Sequence, residues 1–300
     1  MISDFDVEFV DRGYGKNYVK LLHVRREGKW HFIKELEVNT SLTLNSTKEY
    51  LKGDNTDVVA TDTQKNTVYA LAKRKGVSNI EKFGMELCQH FLTKYNHVMA
   101  VKVHIEEAPW QRVEQGGLEH IHTFIAKGDA SRVCDVQQKR HEHPQVSAGL
   151  ENMKILKTTK SAFTNFHRDE YRSLPDMDDR IFCTVVKAKW DYGSIQGLDF
   201  DQAWDTVKAC ILDEFAGPPD TGVFSASVQQ TLYEAEKRAL SKVPQISRIS
   251  LELPNVHAYT YDFSKLPRLG ILENNEVFQP TDKPSGNIRA SLQRKVTSKL

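Results

Sequence analysis

Cysteine is scarce: Cys88, Cys134, Cys183 and Cys210 are the only four in 300 residues, and no two stand in a Cys-x-x-Cys pair. That usage excludes a dense disulfide framework and a zinc knuckle, and fits free thiols in a reducing compartment. No apolar run approaches the roughly 20 residues that a membrane-spanning helix needs. Neither sign of charge is in excess, since 41 Lys plus Arg face 40 Asp plus Glu. Nucleic acid and acidic membrane are therefore excluded as main partners, and a charged ligand must be held locally. Met1 to Val10 carries Asp4, Asp6 and Glu8 without a basic start or an apolar segment, so it reads as neither a secretory leader nor a transit peptide.

What is present is regular patterning over a length that suits two domains or one large one. Tyr18 to Arg25 and Trp30 to Leu44 are rich in β-branched and aromatic residues, as half-buried strands require. Val68, Leu71 and Ala72 share a helical face that Gly76 closes, and Ile80, Phe83, Leu87, Phe91 and Tyr95 mark a second helix. Val101, Val103 and Ile105 then alternate with polar residues as a strand does. The second half repeats the order. Strands are predicted at Lys154 to Thr159 and Arg180 to Trp190, a helix runs from Phe200 to Phe215 until Gly217-Pro-Pro219, and Ser227 with Gln230 opens another. Ile249, Leu251 and Leu253 form the next strand. Two ββααββ-like units, 1–140 and 141–300, account for this, with a join among Gln137 to Gly149. The α+β class follows, each unit an antiparallel sheet with helices on one side. The uncovered sheet faces and edges need burial, which predicts an obligate homo-oligomer closed into a barrel.

Chemistry is expected first at helix starts. Val58 and Val59 read as a short strand ending at Thr61 and Asp62, with Asp62 as N-cap, and such a corner can hold an anion. Ser227 opens the comparable corner of the second unit, and Gln229 adds an amide that both donates and accepts. These two helix starts are expected to be related by the repeat. Arg180 follows the acidic turn Asp176 to Asp179, whose carboxylates it would meet as a surface partner on spacing alone; set with an amide against a planar anion it would form a clamp, with Phe163 on the ring face. His104, His120 and His122 raise a zinc reading, as does the His141/His143 pair, but no acidic or cysteine ligand stands at a recognised spacing. The chain ends in Ser298-Lys299-Leu300, the tripeptide that a peroxisomal import receptor reads, which predicts the peroxisomal matrix.

Seven segments together resemble the urate oxidase (uricase) family over nearly the whole chain: Tyr14-Gly-Lys16, Val59 to Asn66, Phe163 to Tyr171, Asp179-Arg180, Ser225 to Gln229, Leu253 to His257 and the terminal tripeptide. The resemblance implies two tandem tunnelling-fold (T-fold) units, a homotetramer around a barrel-lined tunnel, and sites at subunit interfaces without metal or organic cofactor. It implies that Arg180 and Gln229 grip the purine edge of urate, that Phe163 stacks on it and that the Val228 backbone donates to an oxygen. Thr61 and Asp62 of a neighbouring chain would take the opposite edge. Lys16, Thr61 and His257 would relay protons, and Asn255 would hold dioxygen and then water. The implied products are 5-hydroxyisourate and hydrogen peroxide. Where the family continues with two aromatics after His257, Ala258 precedes Tyr259 here, which bears on what fixes the imidazole. A purine-binding scaffold without turnover and a zinc-dependent pterin-type T-fold enzyme are the rival readings.

Overall fold

A computed structural model, describing residues 7–295, shows the chain dividing into two units. The first holds residues up to Gly128 with Arg132–Ser147; the second holds Asp129–Ser131 and the residues from Ala148 onward. In the first, β1 (Tyr14–Glu27) and β2 (Trp30–Leu44) precede the single turn α1 (Lys48–Leu51), the helices α2 (Thr61–Lys75) and α3 (Ile80–Lys94), and β3 (Val98–Glu107). A hairpin of β4 (Trp110–Gln115) and β5 (Leu118–Ala126) then intervenes before β6 (Ser131–Lys139), and the sheet order is β1-β2-β3-β6, each pair antiparallel.

The second unit repeats this plan. It runs through β7 (Gln145–Lys157), β8 (Phe182–Tyr192), α4 (Phe200–Ala216), α5 (Val228–Lys242) and β9 (Ile246–Pro254). Again a hairpin, β10 (His257–Thr260) with β11 (Phe278–Thr281), comes before the last strand, β12 (Asn287–Gln293), in a sheet ordered β7-β8-β9-β12.

Side-chain periodicity builds these layers. Leu36, Val38, Leu42 and Leu44 point inward from alternate positions of β2, and Val101, Val103 and Ile105 do so from β3. Onto them α3 lays Ile80, Phe83, Leu87 and Phe91, each at most 1 % exposed and each stabilising by about 1.5–3 kcal/mol on burial. Gly84 permits the approach, because a Cβ there would lie 2.7 Å from a Val136 methyl. In the second unit Val207, Ile211 and Phe215 of α4 and Leu232, Ala235 and Ala239 of α5 take the same part, over Trp190, Ile249 and Leu251. The other sheet face is polar, as Lys102, Glu106, Lys187 and Lys189 indicate.

Three expectations are corrected. Val58 and Val59 are irregular backbone and not a strand: the Val58 N–H donates to Asn55 O at 3.0 Å in a turn, and Val59 is held by the Tyr14 and Gln64 side chains. Asp62 is no cap: α2 begins at Thr61 after Ala60, with no side-chain cap, and Asp62 sits in its first turn. Nor are the Asp62 and Ser227 helix starts repeat mates, since α2 is the first long helix of its unit and α5 the second of its own. By chain order α5 answers α3, and both carry a capping side chain, Ser227 on the Gln230 N–H and Asn79 on the Lys82 N–H.

Candidate active site

In the second unit, three segments are laced together by backbone hydrogen bonds. The Ala162 N–H donates to Ser225 O (2.9 Å), the Ser225 N–H to Lys160 O (2.9 Å) and the Arg180 N–H to Ser161 O (2.8 Å). Phe163 and Met177 exchange both of their backbone bonds, at 2.8 and 3.0 Å. This lacing gathers Phe163, Arg180 and the entry to α5. Lys157 braces it from β7, its ammonium donating to Val223 O (2.9 Å) and Ser225 Oγ (2.8 Å) while burial pulls its pKa down. Thr231 adds a hydroxyl bond to Ser225 Oγ at 2.8 Å.

Arg180 does not serve the acidic turn beside it. Asp176 receives Arg172 at 2.8 Å and Arg168 at 3.4 Å, and Asp179 accepts the Thr159 hydroxyl at 2.6 Å. The Arg180 guanidinium carbon instead lies 5.4 Å from the Phe163 ring centroid, and the Arg180 Nε is buried without a hydrogen-bond partner among the described residues. Burial alone lowers its pKa, the signature of a desolvated cation. Phe163 is kept upright by Phe166, parallel to it at 4.5 Å and 12°. At the start of α5 the Ser227 cap takes the Gln230 N–H, whereas the first-turn N–H groups of Val228 and Gln229 have no intrahelical acceptor by helix geometry. Val228 is buried and Gln229 exposed, so the amide stands at the open end.

Asn255 and His257 are fastened to β8 a few residues beyond Arg180. Asn255 bridges Thr184 and donates its N–H to Gly286 O at 2.8 Å, and the Val256 N–H donates to Cys183 O at 2.9 Å. His257 stacks on Tyr259 at 5.5 Å and 22°, two residues along the same strand. Tyr259 thus supports the imidazole despite Ala258.

The first unit holds the candidates Lys16, Thr61 and Asp62. Lys16 pairs with Thr40 across β1 and β2, and the register then slips: Asn17 and Tyr18 oppose Asn39 alone, a bulge of the kind that re-aims side chains. Tyr18 takes φ 58° there, and its N–H donates to Asn39 Oδ1 at 2.6 Å. Gly15 is required beside Lys16, because a Cβ would lie 1.7 Å from Thr40 O. The Asp62 carboxylate accepts Lys65 Nζ at 2.6 Å and Asn66 Nδ2 at 2.9 Å. The Lys65 bond is the main cause of its lowered pKa, and the charge of Lys16 adds to it.

His120 and His122 meet ring to ring at 4.7 Å, but His104 does not join them. His104 hydrogen-bonds Asp135 at 2.7 Å, which raises its pKa, and contacts Glu106 at 3.3 Å, whereas His120 and His122 lie on β5, which pairs with β4 and not with β3. Among the described residues no three His, Cys, Asp or Glu side chains are placed to hold a metal ion. Hollows of about 490 Å³, among Tyr261, Phe263 and Asn274, and of about 390 Å³, over Lys187, Ser250 and Arg289, contain none of the assigned residues. Lys157 and Asn39 escaped the sequence reading, since each acts through a partner distant in sequence. Ser298-Lys299-Leu300 lies outside the described residues.

Comparison with known proteins bears directly on this arrangement. The uricase family profile matches residues 12–137 and 146–289. Uricase of Oryctolagus cuniculus is 46% identical over 295 residues, covering 98% of this chain and 97% of its own. Uricase of Danio rerio is 47% identical over 298 residues, with 99% of each chain covered. The crystal structure of uricase from Arthrobacter globiformis superposes with a TM-score of 0.89 at 34% identity, covering 98% of this chain and 97% of that one. With the matched segments spanning both units and every motif that carries the site, the chain belongs to the uricase family.

Proposed function

We infer that the urate-oxidising activity of this chain runs at a site assembled from two subunits of a homotetramer, the second unit of one facing the first unit of another. Arg180 carries the inference. A desolvated guanidinium over an aromatic ring, with Asp176 and Asp179 already engaged by other groups, suits a planar anion. Urate lies on Phe163, gripped at one edge by Arg180 and Gln229, with the Val228 N–H donating to a ring oxygen. The opposite edge meets Thr61 and Asp62 of the neighbouring subunit.

Urate must lose a further proton before it yields an electron to dioxygen, and a threonine hydroxyl is too weak a base alone. Lys16 takes the Thr61 proton, Thr61 takes that of urate, and His257 orients or feeds the lysine. Electron transfer gives a radical pair that combines as a hydroperoxide at the ring carbon. Hydrogen peroxide then leaves and water adds, so that urate, dioxygen and water become 5-hydroxyisourate and hydrogen peroxide. Asn255 holds first dioxygen and then the water. The terminal Ser298-Lys299-Leu300 directs the chain to peroxisomes through their import receptor, which suits a producer of peroxide. Aerobic urate loss with stoichiometric peroxide release, unaffected by a chelator, is the expected result; absence of turnover contradicts the reading.

A further inference from the structure

Val59 is held at both of its backbone polar groups by side chains from the two elements that carry Lys16 and Thr61. Its N–H donates to the Tyr14 hydroxyl at 2.8 Å, and its carbonyl accepts Gln64 Nε2 at 3.2 Å. Tyr14 stands two residues before Lys16 on β1, and Gln64 three residues after Thr61 on α2. Gln64 is fully buried, and its Oε1 accepts the hydroxyl of Thr40 at 2.9 Å. Thr40 is itself the cross-strand partner of Lys16. Two independent struts therefore run between the strand pair under Lys16 and the segment that delivers Thr61.

These bonds lie outside the backbone ladder of α2 and tie the helix to the strand pair. The helix lacks a side-chain cap, yet a buried amide that would otherwise cost several kcal/mol to desolvate is spent on fixing the residue two before Thr61. Proton transfer between two side chains requires them within about 2.6–3.2 Å, directly or through one water, and an error of about 1 Å can cost about 100-fold in rate. We propose that Tyr14 and Gln64 are positioning residues that set the separation of Lys16 and Thr61, a proposal that rests on the relay described above. Neither touches urate. Burial raises the pKa of Tyr14, which keeps its hydroxyl neutral and available to the Val59 N–H.

The test is steady-state urate oxidation by Tyr14→Phe and Gln64→Met, alone and each combined with Lys16→Met, alongside thermal unfolding. Each single variant is expected to lower kcat by about 10- to 100-fold with KM for urate nearly unchanged. Added to Lys16→Met, neither should lower the residual rate further, because the element being positioned is already gone. A single-variant kcat equal to wild type, or the same loss multiplied onto Lys16→Met, overturns the proposal; the second outcome marks general structural damage. Should Tyr14→Phe fail to fold, Gln64→Met carries the same readings. If Lys16→Met itself keeps the wild-type kcat, the relay falls and the positioning falls with it. A loss in Lys16→Met without one in the struts overturns the positioning alone.

Discussion

The two units share one plan but handle charge in different ways. In the first, the buried Glu81 is matched by Arg132, the guanidinium reaching both carboxylate oxygens at 3.0 and 2.8 Å. In the second, the equally buried Glu236 accepts the Leu251 N–H at 2.8 Å, its Oε2 has no partner among the described residues, and burial pushes its pKa up to about 7. The second unit also keeps a cation, Arg180, desolvated beside Phe163, whereas the first pairs the exposed Asp62 with Lys65. On the proposed reading, one sheet-and-helix scaffold supports two tasks. A pre-desolvated cation favours binding an anion; a lysine and a hydroxyl held in register favour moving a proton.

The largest effect that can break this division is expected from Lys16→Met. It should lower kcat by about 100- to 10,000-fold with little change in KM, measured by urate absorbance decay. A rise in KM instead would assign Lys16 to binding. Next comes the carboxyl contrast. Because the folded pKa of Glu236 exceeds its unfolded value, the stability it contributes is complete below about pH 4.5 and is lost as pH rises through about 7. Glu236→Gln, which keeps the acceptor for Leu251, should therefore gain up to about 3 kcal/mol relative to wild type above pH 8 and little at pH 4.5. Denaturant unfolding at the two pH values measures this; equal shifts would show that Glu236 ionises normally.

Arg180→Ala should weaken urate binding by about 1.5–3 kcal/mol and leave kcat at saturation much less affected. An unchanged KM would remove the clamp from the second unit. The smallest effect is expected from Ser227→Ala, about 1 kcal/mol of stability from the lost cap, with a rise in KM as the α5 start that carries Val228 and Gln229 frays. No stability loss would show that the lacing to Ser225 suffices.

Much of this was legible before the structure, for local reasons. The alternation of Val101, Val103 and Ile105 and the stripe of Val228, Leu232, Ala235 and Ala239 state their elements through period alone. Val58-Val59 misled because β-branched residues look the same in a ladder and in a loop tied down by Tyr14 and Gln64, tens of residues and five residues away. Asp62 misled because aspartate favours both the cap and the first turn of a helix. The β4–β5 and β10–β11 hairpins, inserted at the same point of each unit, carry no sequence mark of their shared place. The candidate site residues were named from motifs, whereas the bonds of Lys157 to Val223 and Ser225 and the stacking of Tyr259 on His257 are contacts that only folding creates.

We propose that each site takes Lys16 and Thr61 from one subunit and Arg180 and Gln229 from another, and mixing two impaired variants, assayed at urate well below the KM of the Arg180→Ala protein, tests this most directly. Lys16→Met and Arg180→Ala proteins, unfolded and reassembled together at equal concentration, should recover activity in roughly a quarter of their sites, those that draw an intact half from each chain. Each variant reassembled alone should remain impaired. If the mixed assembly is no more active than the two variants apart, both halves of the site belong to one chain and the account is wrong.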